Sequence, residues 1–468
     1  MRFVSVDANR YRLAFRMARS KMSDRRRAAG PVIALGQTVP RLRTRTAVRV
    51  AIRLVDVALV VLFLCNCGSR IDSGITAPPP PPPLLADTGP PLDTVHLPPA
   101  STLQVASGGT QSCVLRVDGS IVCWGVWGGI GPTLPMRIPT AIDSYGAVVA
   151  FASISAGSQL CGLSVSGEAY CETGARASSG SDSSAAPRIL VPVTTRHRFR
   201  VLVSGYQTSC ALTPPGQGFC WGDGSVGSLG TGQFGAGYAV TSPTPIATSL
   251  RFTALASGGG AVNCGIATNN AGYCWGGEKG SVFITPGQAG SCADIFWQRY
   301  ATPCAVPTPV SGAPPFRFLS AQMQTACGIA LDGHAVCWGI GPNGELGNGQ
   351  GGDGTFSIPA VNVAGNLTFS AISLGATFDC ALTATGSAYC WGNNFGGFLG
   401  SPGGSSAVPQ RVAGGLTFQG LAAGALHTCA VSVANEIWCW GDGGYGQLGR
   451  DPVLGGSAVP IRVSMPIR

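Results

Sequence analysis

The sequence predicts an all-β chain built from seven copies of one small antiparallel sheet arranged radially. Three observations predict it. Seven pairs of cysteines stand ten positions apart: Cys113/Cys123, Cys161/Cys171, Cys210/Cys220, Cys264/Cys274, Cys327/Cys337, Cys380/Cys390 and Cys429/Cys439. Their first members are separated by 48, 49, 54, 63, 53 and 49 residues, so one unit of about 50 residues recurs. The units are rich in Gly and β-formers and contain no amphipathic helix, which is the composition of a ring of small sheets.

Within each unit the centre is a hairpin. The copies read CVLRVDGSIVCWG from Cys113, CALTPPGQGFCWG from Cys210, CGIALDGHAVCWG from Cys327, CALTATGSAYCWG from Cys380 and CAVSVANEIWCWG from Cys429. Six residues after the first cysteine stands Gly119, Gly167, Gly216, Asn270, Gly333, Gly386 or Asn435. Gly and Asn are the residues that tolerate the left-handed backbone region, as the last position of a three-residue hairpin loop requires. Centring that loop on Asp118 puts Arg116 opposite Ser120 and Cys113 directly opposite Cys123. The cysteines then occupy a non-hydrogen-bonded site, where Cα atoms lie closest and a cross-strand disulfide fits. The same count holds for all seven copies.

The flanks add two signals. Five units carry Gly five residues before the first cysteine (Gly108, Gly205, Gly259, Gly375 and Gly424), and six have Trp-Gly after the second. Those tryptophans are Trp124, Trp221, Trp275, Trp338, Trp391 and Trp440. A Gly-x-Leu-Gly turn follows in four units: GSLG at 227, GELG at 344, GFLG at 397 and GQLG at 446. The second unit reads CETG from Cys171 and lacks the tryptophan, and the first has only GGIG at 128.

These residues resemble the repeat of the regulator of chromosome condensation family over residues 100–468. The resemblance implies a seven-bladed β-propeller. It does not fix a function, because relatives of this fold include nucleotide exchange factors for a small GTPase and a secreted bacterial β-lactamase inhibitor. Pro-containing extended segments such as 408–412 precede most units, and a like segment, 459–463, ends the chain. That C-terminal strand segment is expected to close the ring by supplying a strand to the first blade.

The chain divides into a basic region with a secretory signal (residues 1–67), a Pro-rich stalk (68–100) and the propeller (101–468). Residues 1–53 hold fourteen Arg or Lys and two Asp, and an apolar run of about eleven residues follows from Val55 to Cys65, too short to span a bilayer. The basic region is long for such a signal, which points to a translation start nearer Arg41. The surroundings of Cys65 and Cys67 leave two readings open, a lipid tether at either cysteine or cleavage and release. Pro78 to Pro83 begin an extended, semi-rigid stalk. Residues 68–468 carry sixteen basic and eighteen acidic groups, a net of −2, which excludes a basic nucleic-acid footprint despite the +9 of the whole chain.

An export signal and paired cysteines in every unit predict seven intra-hairpin disulfides rather than seven pairs of small buried hydrophobes. Cys292 and Cys304 fall outside the repeat, in the insertion at 276–310, and are expected to form an eighth bridge. That insertion bears Phe296, Trp297, Arg299 and Tyr300, the residue types of a partner-binding hot spot. The same rings would also serve to pack the insertion down on the ring, and both readings stand.

Chemistry is sparse. The four histidines are His96, His197, His334 and His427, and no Ser/His/Asp set, phosphate loop or metal-ligand spacing accompanies them. Asp223, Asp442 and Asn393 follow Trp-Gly at matching places, where turn formation explains them better than a bound cation. No catalytic residue, cofactor or metal is implied. The sequence therefore reads as an exported monomeric propeller that binds another exported protein or an envelope glycan. A structural surface protein, a propeller enzyme acting on envelope polysaccharide and an exchange-factor-like regulator are the competing classes.

Overall fold

The computed structural model describes residues 95, 97, 102–127, 130–138, 141, 147–172, 189–259, 261–277, 304–352 and 355–465. They form seven four-stranded antiparallel sheets, each made of four consecutive strands. The blades span 104–137, 151–192, 201–245, 252–309, 316–362, 369–411 and 418–462. First strands of successive blades touch one another all the way round, including blade 7 against blade 1, so they line the axis and fourth strands form the rim.

The hairpin register is the expected one. Cys113 pairs with Cys123 across strands Gln111–Leu115 and Ile121–Trp127. Cys161 pairs in the same way with Cys171, Cys210 with Cys220, Cys264 with Cys274, Cys327 with Cys337, Cys380 with Cys390, and Cys429 with Cys439. All seven pairs are disulfides with Cα atoms 4.0–4.1 Å apart. The loop closes through Arg116 N–H to Ser120 O (2.9 Å) and Gly119 N–H to Arg116 O (2.9 Å), with Gly119 at φ 78°. Asn270 and Asn435 take the same left-handed conformation, at φ 65° and 57°.

Third and fourth strands pair with a shift in register at the tryptophan in six blades. The Gly after each tryptophan supplies the positive φ of that bulge, for example 103° at Gly392. A Cβ on Gly125 would stand 2.3 Å from Thr110 O, so the position also needs the space. Blade 2 has Glu172 in place of the tryptophan, and its pairing runs without a shift.

The Pro-containing segments are the fourth strands of the blades they follow, not leaders to the blades that come next. Ser406–Arg411 pairs with Ala388–Gly392, and Ser457–Arg462 pairs with Ile437–Gly441. Proline suits them because a rim strand leaves one row of N–H groups without a ladder partner. The expectation that segment 459–463 enters the first blade is therefore corrected, since it completes its own blade. It still closes the ring, through side chains. Ile461, Val463 and Met465 pack with Val114, Val122 and Trp124 of blade 1.

Backbone bonds finish the closure. Ala425 N–H reaches Gly109 O (3.0 Å) from blade 7 to blade 1, and Ala376 N–H reaches Ala425 O (3.0 Å). Ser158 N–H to Gly205 O (3.0 Å) and Tyr206 N–H to Gly258 O (3.2 Å) continue the circle through blades 2, 3 and 4. Leu97, inside the Pro-rich stretch, donates its N–H to Val165 O (2.7 Å) on the hairpin of blade 2 and packs on the seam beneath it.

The core lies in the seams between blades, one buried cluster to each. In every seam the disulfide of one blade faces aromatic residues of the next. Cys210–Cys220 meets Phe252 and Trp275, and Cys264–Cys274 meets Phe316 and Trp338. Cys380–Cys390 meets Phe418 and Trp440, and at the closure Cys429–Cys439 meets Trp124 of blade 1. The phenylalanine was not anticipated. It stands ten to twelve residues before the first cysteine at 151, 199, 252, 316, 369 and 418, and in blades 3 to 7 its ring lies 5.7–6.3 Å from its own blade's indole.

Candidate binding face

Inner turns and the connections from third to fourth strand open on one face of the ring, and the hairpins open on the other. The loop face is built on the Gly-x-Leu-Gly turns. Their leucines, Leu229, Leu346, Leu399 and Leu448, are fully buried against the disulfide of their own blade. Both glycines of each turn have positive φ, 77° and 64° at Gly397 and Gly400. The carbonyl of the variable residue then accepts the indole N–H of the following blade. Trp124 donates to Gln447 O (2.9 Å), Trp275 to Ser228 O (3.1 Å), Trp391 to Glu345 O (2.8 Å) and Trp440 to Phe398 O (3.1 Å). Trp-Gly and Gly-x-Leu-Gly are thus two halves of one joint between blades.

The repeat cysteines contribute stiffness to this face and no contact surface. Cys264, Cys274, Cys429 and Cys439 are each 0% exposed, as are Cys380 and Cys390, so none of these sulfurs can reach a partner. Bonded in pairs, they offer neither a nucleophile nor a thiolate ligand.

Above the turns the loops are tied down by their own side chains. Asp223 accepts from Ser225 N–H (2.7 Å), Asn393 from Phe395 N–H (2.8 Å) and Asp442 from Gly444 N–H (3.0 Å), so all three are turn formers. In blade 6, Asn394 donates to Ser401 O and Gly403 O, both at 3.0 Å, and accepts from Leu399 N–H. In blade 7, Arg450 holds the carbonyls of Leu454, Gly455 and Gly456 at 2.9–3.3 Å, and Asp451 caps Val453 N–H (2.9 Å). These two fixed loops carry Phe395 and Val453, each 91% exposed, and Leu454, 63% exposed. The loops adjoin, since a Cβ on Gly456 would lie 3.4 Å from Gly396 O.

Phe296, Trp297, Arg299, Tyr300 and Cys292 lie outside the described residues, as do Cys65 and Cys67. Cys304 is disulfide-bonded. It pairs with Gly276 where the third and fourth strands of blade 4 begin to separate, so both ends of the insertion sit on the loop face.

Among the described residues the polar groups do not form a reactive centre. His427 Nε2 lies 2.6 Å from Ser112 Oγ, but both are fully buried in the seam of blades 7 and 1, and Nδ1 has no partner. Burial alone lowers the His427 pKa to about 3, so the ring is neutral. His334 sits on an exposed hairpin with Nδ1 3.3 Å from Asp332. Cys327, Cys337 and Asp379 converge within 4.8 Å, yet both sulfurs belong to a disulfide and are poor metal ligands. A cavity of about 510 Å³ at the ring closure is lined in part by Arg462 and Glu436, which pair with each other at 3.0 Å.

Comparison with known proteins shows what the ring is similar to. Residues 418–447, the first three strands of the last blade and the start of its Gly-x-Leu-Gly turn, match the regulator of chromosome condensation (RCC1) repeat. The last blade is similar to an RCC1 repeat. The chain is 26% identical over 254 residues to the Arabidopsis thaliana RCC1 domain-containing protein RUG3, mitochondrial, covering 53% of this chain and 55% of that protein. It therefore spans about half the length of this curated relative. Among solved structures, human WBSCR16 is 17% identical with a TM-score of 0.58, covering 72% of this chain and 88% of that one. Yeast RCC1 (Prp20), solved bound to Kap60, is 17% identical with a TM-score of 0.51, covering 77% and 74%. These likenesses show a propeller fold shared with both structures.

Proposed function

We propose that this propeller is an exported, covalently stiffened binding platform whose loop face receives another exported protein or an envelope glycan. The observation that carries the reading is the pair of locked loops presenting Phe395, Val453 and Leu454 to solvent. Large apolar side chains held in place before binding lose little further freedom on association, which is how a few residues come to dominate an interface. Disulfides in all seven blades support an oxidising compartment. The described ends of the insertion that bears Phe296, Trp297, Arg299 and Tyr300, Gly276 and Cys304, lie on the same face. Protein binding has a parallel in yeast Prp20, which was crystallised with Kap60.

Capture with the full chain as bait, against envelope and secreted fractions of the producing cell, tests this. Parallel baits carry Phe395→Ala with Val453→Ala and Leu454→Ala, or Phe296→Ala with Trp297→Ala and Tyr300→Ala. A partner held by the unaltered chain and lost by either triple variant supports the loop face as the contact surface. A partner kept by both variants moves the site off this face. Capture of nothing favours a structural surface role.

A further inference from the structure

Asp379 differs from its counterparts in the other blades. The residue just before the first cysteine faces the preceding blade, and elsewhere it is Ser112, Leu160, Ser209, Asn263, Ala326 or Thr428. Only blade 6 places a carboxyl there. In blade 4 the equivalent Asn263 uses its Nδ2 to donate to Ser228 O (2.7 Å) in the turn of blade 3. A carboxylate has no hydrogen for such a bond.

Asp379 is 1% exposed, with Oδ1 unpartnered and Oδ2 3.6 Å from Cys327 Sγ. Because Cys327 is bonded to Cys337, its sulfur carries no hydrogen, so the contact is a hydrogen bond only if Asp379 supplies the proton. The facing turn of blade 5 adds a second acid, Glu345, whose carboxyl accepts from Asn343 N–H (2.8 Å) and Nδ2 (2.6 Å). Burial pushes the Asp379 carboxyl well above the usual carboxylate range and the charge of Glu345 pushes it further, against the smaller opposing pull of the Trp391 indole N–H. Burial also raises Glu345, against the pull of its bonds from Asn343. The strands packed around the two acids are Thr325–Ala330, Ala335–Ile340, Phe369–Leu374 and Ala388–Gly392, and they bring Tyr389 as a further ionisable side chain and no cation. His334 and Asp332 pair with each other on the hairpin at the opposite end.

We infer that Asp379 carries its proton at neutral pH, donates it toward the Cys327–Cys337 disulfide, and makes the seam between blades 5 and 6 an alkali-sensitive joint in the ring. Losing the proton leaves a carboxylate facing an acceptor sulfur and a second carboxylate in a water-poor seam, which the Trp391 indole offsets only in part. A carboxyl that holds its proton more tightly folded than unfolded stabilises at low pH, and that support is lost as pH rises from the ordinary carboxylate range. One proton released on opening raises the opening constant of this seam by up to about tenfold per pH unit. The joint flanks the loop that bears Phe395, so opening it disturbs the proposed binding face. The inference itself stands without that reading.

The test follows amide hydrogen-exchange protection of the full chain between about pH 5 and 9, together with infrared spectra of buried protonated carboxyl groups. In the unaltered protein, protection across the seam of blades 5 and 6 falls with pH while that of blades 6 and 7 does not. A protonated-carboxyl band is present at neutral pH. Asp379→Asn removes both the band and the selective fall. Glu345→Gln keeps the band and shortens the pH range of the fall, which preserves the test if the first variant folds poorly. Absence of the band in the unaltered protein, its loss in Glu345→Gln, or an unchanged pH response in Asp379→Asn overturns the inference. None of these readouts depends on a partner, so failure here is distinct from failure of the binding reading.

Discussion

Among the described residues, four seams of this ring carry the indole-to-turn hydrogen bond and three show none. Blades 3/4, 5/6, 6/7 and 7/1 join a Gly-x-Leu-Gly carbonyl to the next tryptophan. At 4/5 the insertion takes the place of the turn, and Trp338 Nε1 is buried with no partner. At 2/3 the sequence of blade 2 offers no such turn to Trp221, and at 1/2 both halves are missing, since blade 1 has GGIG at 128 and Glu172 replaces the tryptophan of blade 2. An irregularity in one repeat is thus felt by the repeat that follows, since each blade supplies the acceptor for its neighbour's donor. All three of these seams adjoin the insertion or the degenerate second blade.

The largest effects should come from the indoles as volumes. Trp391→Ala and Trp338→Ala should each cost about 3–5 kcal/mol, because both rings are fully buried and the cavity dominates. Denaturant unfolding measures this, and a much smaller cost at 338 would mean that its seam is already loose. Next comes acid. His427 sits in the closing seam of blades 7 and 1 with its pKa lowered to about 3, so the unfolded chain takes up a proton before the folded one does. Stability should fall by a few kcal/mol as pH drops from about 6.5 toward 3, and His427→Gln should flatten that limb of a melting-temperature profile. An unchanged limb would mean that this histidine is not what acid opens.

Removing one bridge by paired Cys→Ala changes should cost at most about 2–3 kcal/mol by chain entropy. The cost should match for Cys161/Cys171 and Cys380/Cys390, which close loops of equal length. A larger loss at the second blade, read by thermal melting, would show that its seams lean on the bridge for want of indole bonds. Trp391→Phe keeps most of the volume and removes the donor, leaving Glu345 O buried without its partner. It should cost about 1–2 kcal/mol more than Trp338→Phe, which removes no bond. Equal costs would sink the two-halves view of the motifs. Smallest of all, Phe395→Ser should change stability by under about 0.5 kcal/mol while weakening capture, since the ring touches little of its own protein.

Hairpins were legible in the sequence because Gly and Asn at one fixed offset, with cysteines at another, leave a single register that satisfies both. The disulfides followed from that register, as residues ten apart around a three-residue loop must meet. Even the copies with Asn in the turn, Cys264–Cys274 and Cys429–Cys439, keep the pairing, because Asn reaches the same left-handed backbone as Gly. Seam phenylalanines were missed because their offset from the cysteine drifts between ten and twelve, which blurs a pattern sought at one spacing. Segment 459–463 was misplaced for a different reason. Its alternation and its proline mark it as a rim strand, but a strand's partner is chosen by the sheet it can reach. Here the adjacent third strand, only a loop away, lies nearer than the first blade.

By itself the sequence determined the number of blades, the hairpin geometry, the covalent pairing and the near-neutral charge of the ring, because each depends on local spacing or on composition. The tertiary structure alone decided how the ring closes, which carbonyl each indole meets, and that Asp379 and Glu345 share one seam. Those are encounters between residues about 30 to 50 positions or more apart, set by how one twisted sheet packs on the next. No local pattern encodes them.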